Sequence, residues 1–158
     1  MAMSPYLASI RTKIGNDLLM VRAAAVMIFD DQGRLCLVQN AHSGEWQSVG
    51  GAVDPDETPA EAAIRETAEE IGVAVELLRV IGVYGGPEFR YTYTNGHQCA
   101  FVSIAFEARI MAGAAIADGE ELRAVGWFHE HEIEGLYMSP HNRRMALDAF
   151  RRSQVTSF

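Results

Sequence analysis

The chain has 158 residues, a formal net charge of −8 and 49% hydrophobic side chains. That size and apolar content suit one globular domain spanning residues 1–158 and exclude a disordered chain, while the acidic balance, with no long run of lysine or arginine, argues against polymeric nucleic acid as a partner. No stretch approaches the apolar length of a membrane span and the start lacks an export signature, so the expectation is a soluble, cytoplasmic protein with no membrane partner.

Residues 4–14 read as a short helix, with Ser4 as cap, Pro5 at the first position, a stripe of Leu7, Ile10 and Ile14, and Gly15 as the stop. So short a helix is marginal alone and needs a surface, either its own domain or a second subunit, which makes a homodimer one expectation. Residues 23–29 (AAAVMIF) and 35–38 (LCLV) read as two strands joined tightly through Asp30, Asp31, Gln32 and Gly33. Cys36 and Cys99 both sit in apolar runs without metal-ligand spacing and read as reduced core residues. Residues 46–49 then lead into Gly50 and Gly51, where the backbone can turn sharply and approach a ligand closely.

The next helix is bounded on both sides. Thr58 is its N-cap, Pro59 its first residue and Glu61 the partner in a capping box, while Gly72 supplies the left-handed end. At 100° per residue Ala60, Ile64, Thr67, Ala68 and Ile71 fall in the sector expected to face a core, and Glu66, Glu69 and Glu70 fall outside it. Their i, i+3, i+4 spacing gathers like charges on one side, an arrangement that calls for a cation. Oxygen donors of this kind suit a hard divalent ion such as Mg²⁺.

After the helix, residues 73–83 are strand-like and end at Gly85, Gly86 and Pro87. Residues 89–94 and 98–106 flank Asn95-Gly96 as a hairpin. The run CAFVSIAF (99–106) is apolar on both faces, which favours an α/β/α sandwich over an open-faced sheet. Residues 112–121, rich in small and acidic side chains, read as a mobile loop, and 124–128 as a last strand. His129 and His131 read as surface histidines. A C-terminal helix of about residues 140–152 carries an apolar stripe of Met145, Ala146, Ala149 and Phe150, with Arg143, Arg144, Arg151 and Arg152 as solvated charges.

Gly51, Glu57, Arg65, Glu66, Glu69, Glu70, Gly72 and Val73 stand at the spacing G-x5-E-x7-R-E-U-x-E-E-x-G-U, where U is bulky and apolar. This resembles the signature of the Nudix hydrolases, with Thr67 as the one departure and Ser48 and Val49 where leucine and proline are usual. The resemblance implies an α/β fold, an α/β/α sandwich with a central mixed β-sheet, and metal-assisted attack of water on a phosphoanhydride.

Carried over by position, the Gly50 carbonyl and the carboxylates of Glu66, Glu69 and Glu70 would hold Mg²⁺, or Mn²⁺ in its place, with Glu57 near them. Arg65 would orient a glutamate. The general base would be Glu66 first, with Glu120 or Glu121 of the later loop second. Candidate substrate-binding residues are Gly51, Arg22, Gln39, Tyr84, Phe89 and Tyr91. The aromatic residues, Tyr93 included, read either as a face for stacking a base or as a cross-strand cluster. Gln39 stands near a strand end where some triphosphate-cleaving relatives place an arginine, and Arg22 is the cation that could compensate. The small-molecule partner implied is a nucleoside diphosphate linked to another group, with ADP-ribose or a related nucleotide sugar ahead of a nucleoside triphosphate. A nucleotide-binding module without turnover and an isomerase on the same fold rank below.

Overall fold

A computed structural model of the chain describes residues 3–151. Its elements are α1 (Pro5–Ile14), β1 (Leu19–Ile28), β2 (Leu35–Asn40), β3 (Trp46–Gln47), β4 (Val49–Ala52), α2 (Pro59–Ile71) and β5 (Ala74–Tyr84). A 3-10 turn (Pro87–Phe89), β6 (Arg90–Thr92), β7 (Gln98–Ala112), β8 (Leu122–Phe128), α3 (Glu130–Ile133) and α4 (Pro140–Phe150) complete them.

The larger sheet runs β4-β1-β7-β5 with β6 added beside β7, and the smaller runs β3-β2-β8. β1 and β7 are parallel while the other pairs are antiparallel, so the larger sheet is mixed. The two strands read as tightly joined do meet at one bridge, Phe29 with Leu35, but then diverge into different sheets.

Strand alternation divides the core. Ala24, Val26 and Ile28 of β1, with Cys36 and Val38 of β2, face Ala62, Ala63 and Ile71 of α2. Ala25 and Met27, with Leu35 and Leu37, face Met145, Ala146 and Ala149 of α4. Both faces of the β layer are therefore covered, and the expected α/β/α sandwich with a central mixed sheet is what the chain forms.

Several local expectations need correction. The α2 face that meets the core is rotated: Ile64 is 44% exposed and Ala68 is also exposed, while Ala62, Ala63, Glu66, Thr67 and Glu70 are buried. The cause is tertiary. Two alanines let the helix lie close to β1 and β4, and two glutamates turn toward a glycine pair that leaves room for them. The hydroxyl of Thr67, the one departure from the signature, donates to the Ala63 carbonyl at 2.6 Å and is satisfied within its own helix.

Helix α1 packs on its own domain, with Leu7 against Val21, Ala52 and Cys99. Segment 113–121 is tethered rather than loose, since the Ile116 amide donates to the Ile71 carbonyl at 3.1 Å and Ala115 and Ala117 pack on the α2-side core. On α4, Arg143 donates to the Ile133 and Leu136 carbonyls, Arg144 pairs with Glu88, and Arg151 with Asp148. Arg143 is thus partly buried and braces the turn after α3, whereas Arg144 and Arg151 are exposed, as expected, and pair at the surface; Arg152 lies outside the described residues. His129 and His131 are exposed, with their rings stacked. No described helix is long and apolar enough to cross a membrane.

Candidate active site

The site forms where α2 passes the glycine pair of β4. The capping box holds the start of the helix: the Thr58 hydroxyl accepts from the Glu61 amide at 3.2 Å and the Thr58 amide donates to Glu61 at 2.8 Å. Gly72, at φ 71°, ends it. Between these ends, i, i+4 geometry places Glu66 and Glu70 on the face nearest Gly50 and Gly51.

Neither glycine can be replaced without displacement. A Cβ on Gly51 would lie 2.2 Å from Glu66 Oε1, and one on Gly50 would lie 2.1 Å from the Ala24 carbonyl oxygen. The missing side chains are therefore the space that the Glu66 carboxylate and the β1 backbone occupy. The Gly50 amide donates to Glu70 Oε2 at 3.1 Å, fixing that carboxylate against the strand.

Arg65 organises the rest. Its Nε and Nη2 donate to the two oxygens of Glu57 at 2.8 and 2.9 Å, and its Nη1 donates to Glu66 at 2.9 Å and to Glu69 at 3.1 Å. Nη2 also reaches the Ala52 carbonyl at 3.1 Å. A planar guanidinium can serve this many acceptors at once.

The charges are far from balanced. Hydrogen bonding to Arg65 holds the Glu57 carboxyl below its usual range. Burial pushes Glu66 up even with Arg65 beside it, and burial, with Glu66 nearby, pushes Glu70 up to about 8 against the opposing Gly50 amide. Clustered carboxylates that resist ionisation are stabilised by an added cation.

These side chains line a cavity of about 350 Å³ whose walls are Ser4 and Pro5 of α1, Ala52, Asp54, Arg65, Glu66, Glu69 and Glu70, and Asp118 and Glu121 of the 113–121 segment. Among the described residues no three acidic, histidine or cysteine side chains already converge as a metal cage. The contacts explain why: Glu66 is turned to Arg65 and Glu70 to the Gly50 amide. The donor set nonetheless fits a hard divalent cation. All of its side-chain donors are carboxylate oxygens, the missing Cβ of Gly51 lets the Glu66 carboxylate reach in beside the strand, and buried Asp54 Oδ1 has no hydrogen-bond partner among the described residues.

Of the residues singled out by sequence, Gly50, Gly51, Glu57, Arg65, Glu66, Glu69, Glu70 and Glu121 come together here. Glu120 is exposed and does not line the cavity. Arg22 lies within β1 and donates to the Asp54 carbonyl at 2.9 Å, bracing the loop whose Asp54 amide donates to Glu57. Gln39 lies on the smaller sheet, donating to the Gly44 carbonyl and accepting from Arg123 Nε, each at 2.9 Å. An arginine thus stands beside position 39, supplied by a neighbouring strand.

The aromatic expectation divides. Tyr84 and Phe89 are each 2% exposed and belong to the α4-side core, so they offer no open face to a base. Phe89 is in the 3-10 turn instead of on a strand with Tyr91 and Tyr93, because the Gly85-Gly86-Pro87 break turns it inward. Tyr91 and Tyr93 are exposed and meet edge to face at 4.7 Å. Sequence reading passed over Asp54, Asp118 and the α1 tip as cavity walls. An Asp-Gly pair immediately before Glu120 and Glu121 was the available signal for Asp118, since aspartate there commonly caps a turn.

The profile of the NUDIX domain matches residues 19–149. A Bacillus subtilis (strain 168) protein named "Putative 8-oxo-dGTP diphosphatase" is 32% identical over 127 residues, 80% of this chain and 78% of that protein. A Streptomyces ambofaciens "MutT-like protein" is 32% identical over 113 residues, 72% of this chain and 66% of its own length. Among solved structures, a MutT protein from Methanosarcina mazei Go1 superposes with a TM-score of 0.69 at 20% identity, covering 86% of this chain and 96% of that one. An ADP-ribose pyrophosphatase from Streptococcus suis 89-1591 superposes with a TM-score of 0.65 at 23% identity, covering 87% and 98%. At these identities the structures speak for the fold, whereas the profile spans both sheets and every residue of the glycine–glutamate site: the chain belongs to the NUDIX family and is a hydrolase of phosphoanhydride bonds.

Proposed function

We propose that this chain is a single catalytic domain that uses a divalent cation, Mg²⁺ or Mn²⁺, to hydrolyse a phosphoanhydride of a nucleoside triphosphate. The observation that carries the reading is the placement of Glu66, Glu69 and Glu70 on one wall of a 350 Å³ cavity with Glu121 on another. Glu66, Glu69 and Glu70, with the Gly50 carbonyl, would hold the cation. When bound, it would neutralise phosphate charge and lower the pKa of water.

Arg65 fixes Glu66 and Glu69 in direction, and Glu57 fixes Arg65, so Glu57 serves as an anchor more than as a ligand. Glu121, on the wall of the cavity that faces the helix glutamates, is the proton acceptor in this reading. The oxygen of water bonds to phosphorus, the bridging P–O bond breaks, and the proton of the attacking water passes to Glu121.

A nucleoside triphosphate stands ahead of ADP-ribose because the Bacillus subtilis relative is named for a deoxynucleoside triphosphate; Tyr84 and Phe89, withdrawn into the core, are open to the base of neither. ADP-ribose and nucleotide sugars remain as the second arm of the test, with exposed Tyr91 as their stacking candidate. The free cysteines, Cys36 and Cys99, are both buried and accord with a cytoplasmic location. Since α1 packs on its own sheet, it needs no second subunit; mass in solution at micromolar concentration tests the homodimer.

The deciding experiment is a panel of 8-oxo-dGTP, ordinary nucleoside triphosphates, ADP-ribose and nucleotide sugars with Mg²⁺ or Mn²⁺, using wild type, Glu69→Gln and Glu70→Gln. Activity retained in both variants rejects the cation roles. Preference for ADP-ribose over every triphosphate rejects the substrate class.

A further inference from the structure

We propose that Asp118 is a positioning residue that fixes Glu121 at the cavity. The inference rests on the hydrolytic role of the cavity argued above and adds a residue that the signature does not contain.

Asp118 Oδ1 accepts three consecutive amide hydrogens, from Glu120 at 2.9 Å, Glu121 at 3.0 Å and Leu122 at 2.9 Å. Gly119, at φ 82°, lets the chain curl around that oxygen, and its amide closes the turn on the Leu122 carbonyl at 3.0 Å. On the other side of Glu121, its carbonyl accepts from the Ala41 amide at 2.8 Å. Both main-chain polar groups of Glu121 are thus held, and the next residue, Leu122, is 1% exposed in the core.

The same segment is tied to the helix that carries the other glutamates through the Ile116 amide and the Ile71 carbonyl, at 3.1 Å. Glu121 is therefore held in register with Glu66 and Glu70 across the cavity. Glu120, one residue earlier, is exposed and outside the cavity, so the turn selects which of two adjacent glutamates faces the reaction. A side chain that locks a catalytic group in direction commonly matters as much as a direct contact.

The experiment compares Asp118→Asn, Asp118→Ala, Glu121→Gln and the double variant Asp118→Ala/Glu121→Gln on the best substrate of the panel. Asparagine keeps the Oδ1 acceptor and loses the charge; alanine loses both. Asp118→Ala should lower kcat roughly tenfold or more with KM little changed, as expected when a general base is misplaced, while Asp118→Asn stays within about threefold of wild type. Asp118→Ala should have no further effect in the Glu121→Gln background.

Amide hydrogen exchange at residues 120–122 gives a readout independent of turnover: faster in Asp118→Ala, protected in Asp118→Asn. Equal damage from Asn and Ala would show that the charge acts directly and overturn the proposal. Unchanged kcat in Asp118→Ala, or losses that multiply in the double variant, would overturn it too. A wild type that hydrolyses nothing in the panel defeats the proposed function, and the exchange comparison still decides whether Asp118 holds Glu121.

Discussion

Arg65 meets Glu57 in a two-pronged contact, Nε to one carboxylate oxygen at 2.8 Å and Nη2 to the other at 2.9 Å, while its remaining nitrogen spans Glu66 and Glu69. One side chain thereby sets the direction of three carboxylates. Lysine offers a single point of charge and cannot reproduce the fork. Arg65→Lys should lower kcat by roughly 10- to 100-fold, the range seen when the outer support of a metal site is lost. Glu57→Gln, which leaves one acceptor oxygen for Arg65, should fall between wild type and Arg65→Lys. Steady-state kinetics at saturating Mg²⁺ check the order; an Arg65→Lys enzyme as fast as wild type would remove Arg65 from the site.

The two glycines should fail differently. A Cβ on Gly51 meets the movable end of the Glu66 side chain, whereas one on Gly50 meets the Ala24 backbone at a φ of 146°. Gly51→Ala should keep most of its stability and lose Mg²⁺ affinity and turnover, because Glu66 must swing away. Gly50→Ala should lose stability by about 2–4 kcal/mol, the size of a backbone clash with conformational strain. Thermal unfolding beside Mg²⁺ titration separates them, and equal stability losses in the two variants would contradict the assignment.

Helix α2 was legible end to end because caps are local: Thr58, Glu61 and Gly72 act within one turn of their own positions. Its roll was not. Ile64 faces out and Glu66 and Glu70 face in because Gly50 and Gly51, distant in sequence, lack the Cβ atoms that would keep those carboxylates away. The hairpin at Asn95-Gly96 was equally readable, with Tyr91 opposite Cys99. Phe89, two residues earlier, was misjudged by alternation because a glycine-proline break interrupts the strand. Asp118 is a different case: the Asp-Gly pair marks a turn, but that its carboxylate gathers three backbone amides at a cavity wall depends on the fold.

Burial pushes Glu70 up to about 8 from its usual 4.5. A carboxyl whose folded value lies above its unfolded value binds its proton more tightly when folded, so stability is present at low pH and declines as pH rises from about 4.5 toward 8. Metal-free protein should therefore show a falling Tm across that window. Mg²⁺ binds the ionised form, so the Tm gained on adding it should grow with pH. Glu70→Gln should flatten the metal-free curve relative to wild type. A wild-type Tm that rises from pH 5 to pH 8 without metal by as much as that of Glu70→Gln would refute the assignment.

Arg11 is the least expected cation in the molecule. It is 6% exposed, yet its donors go to the carbonyls of Gly15, Asp17 and Gln98 at 3.1, 2.7 and 2.6 Å and to Cys99 Sγ at 3.1 Å. Through the last two contacts it ties α1 to the start of β7, and the tip of that helix, Ser4 and Pro5, forms a wall of the cavity that Glu66, Glu70 and Glu121 line. Arg11→Ala leaves these carbonyls without their donor and should cost about 2 kcal/mol after water replaces part of the loss. For a chain of this size that is a drop of roughly 4–8 °C in Tm. Arg11→Lys should recover only part of it, having no planar fork to reach both loops. Because α1 would shift as a unit, KM for the nucleotide should rise more than kcat falls. An Arg11→Ala protein with wild-type Tm and wild-type KM would show that α1 is held by its Leu7 contact alone and that its tip is not needed to shape the cavity.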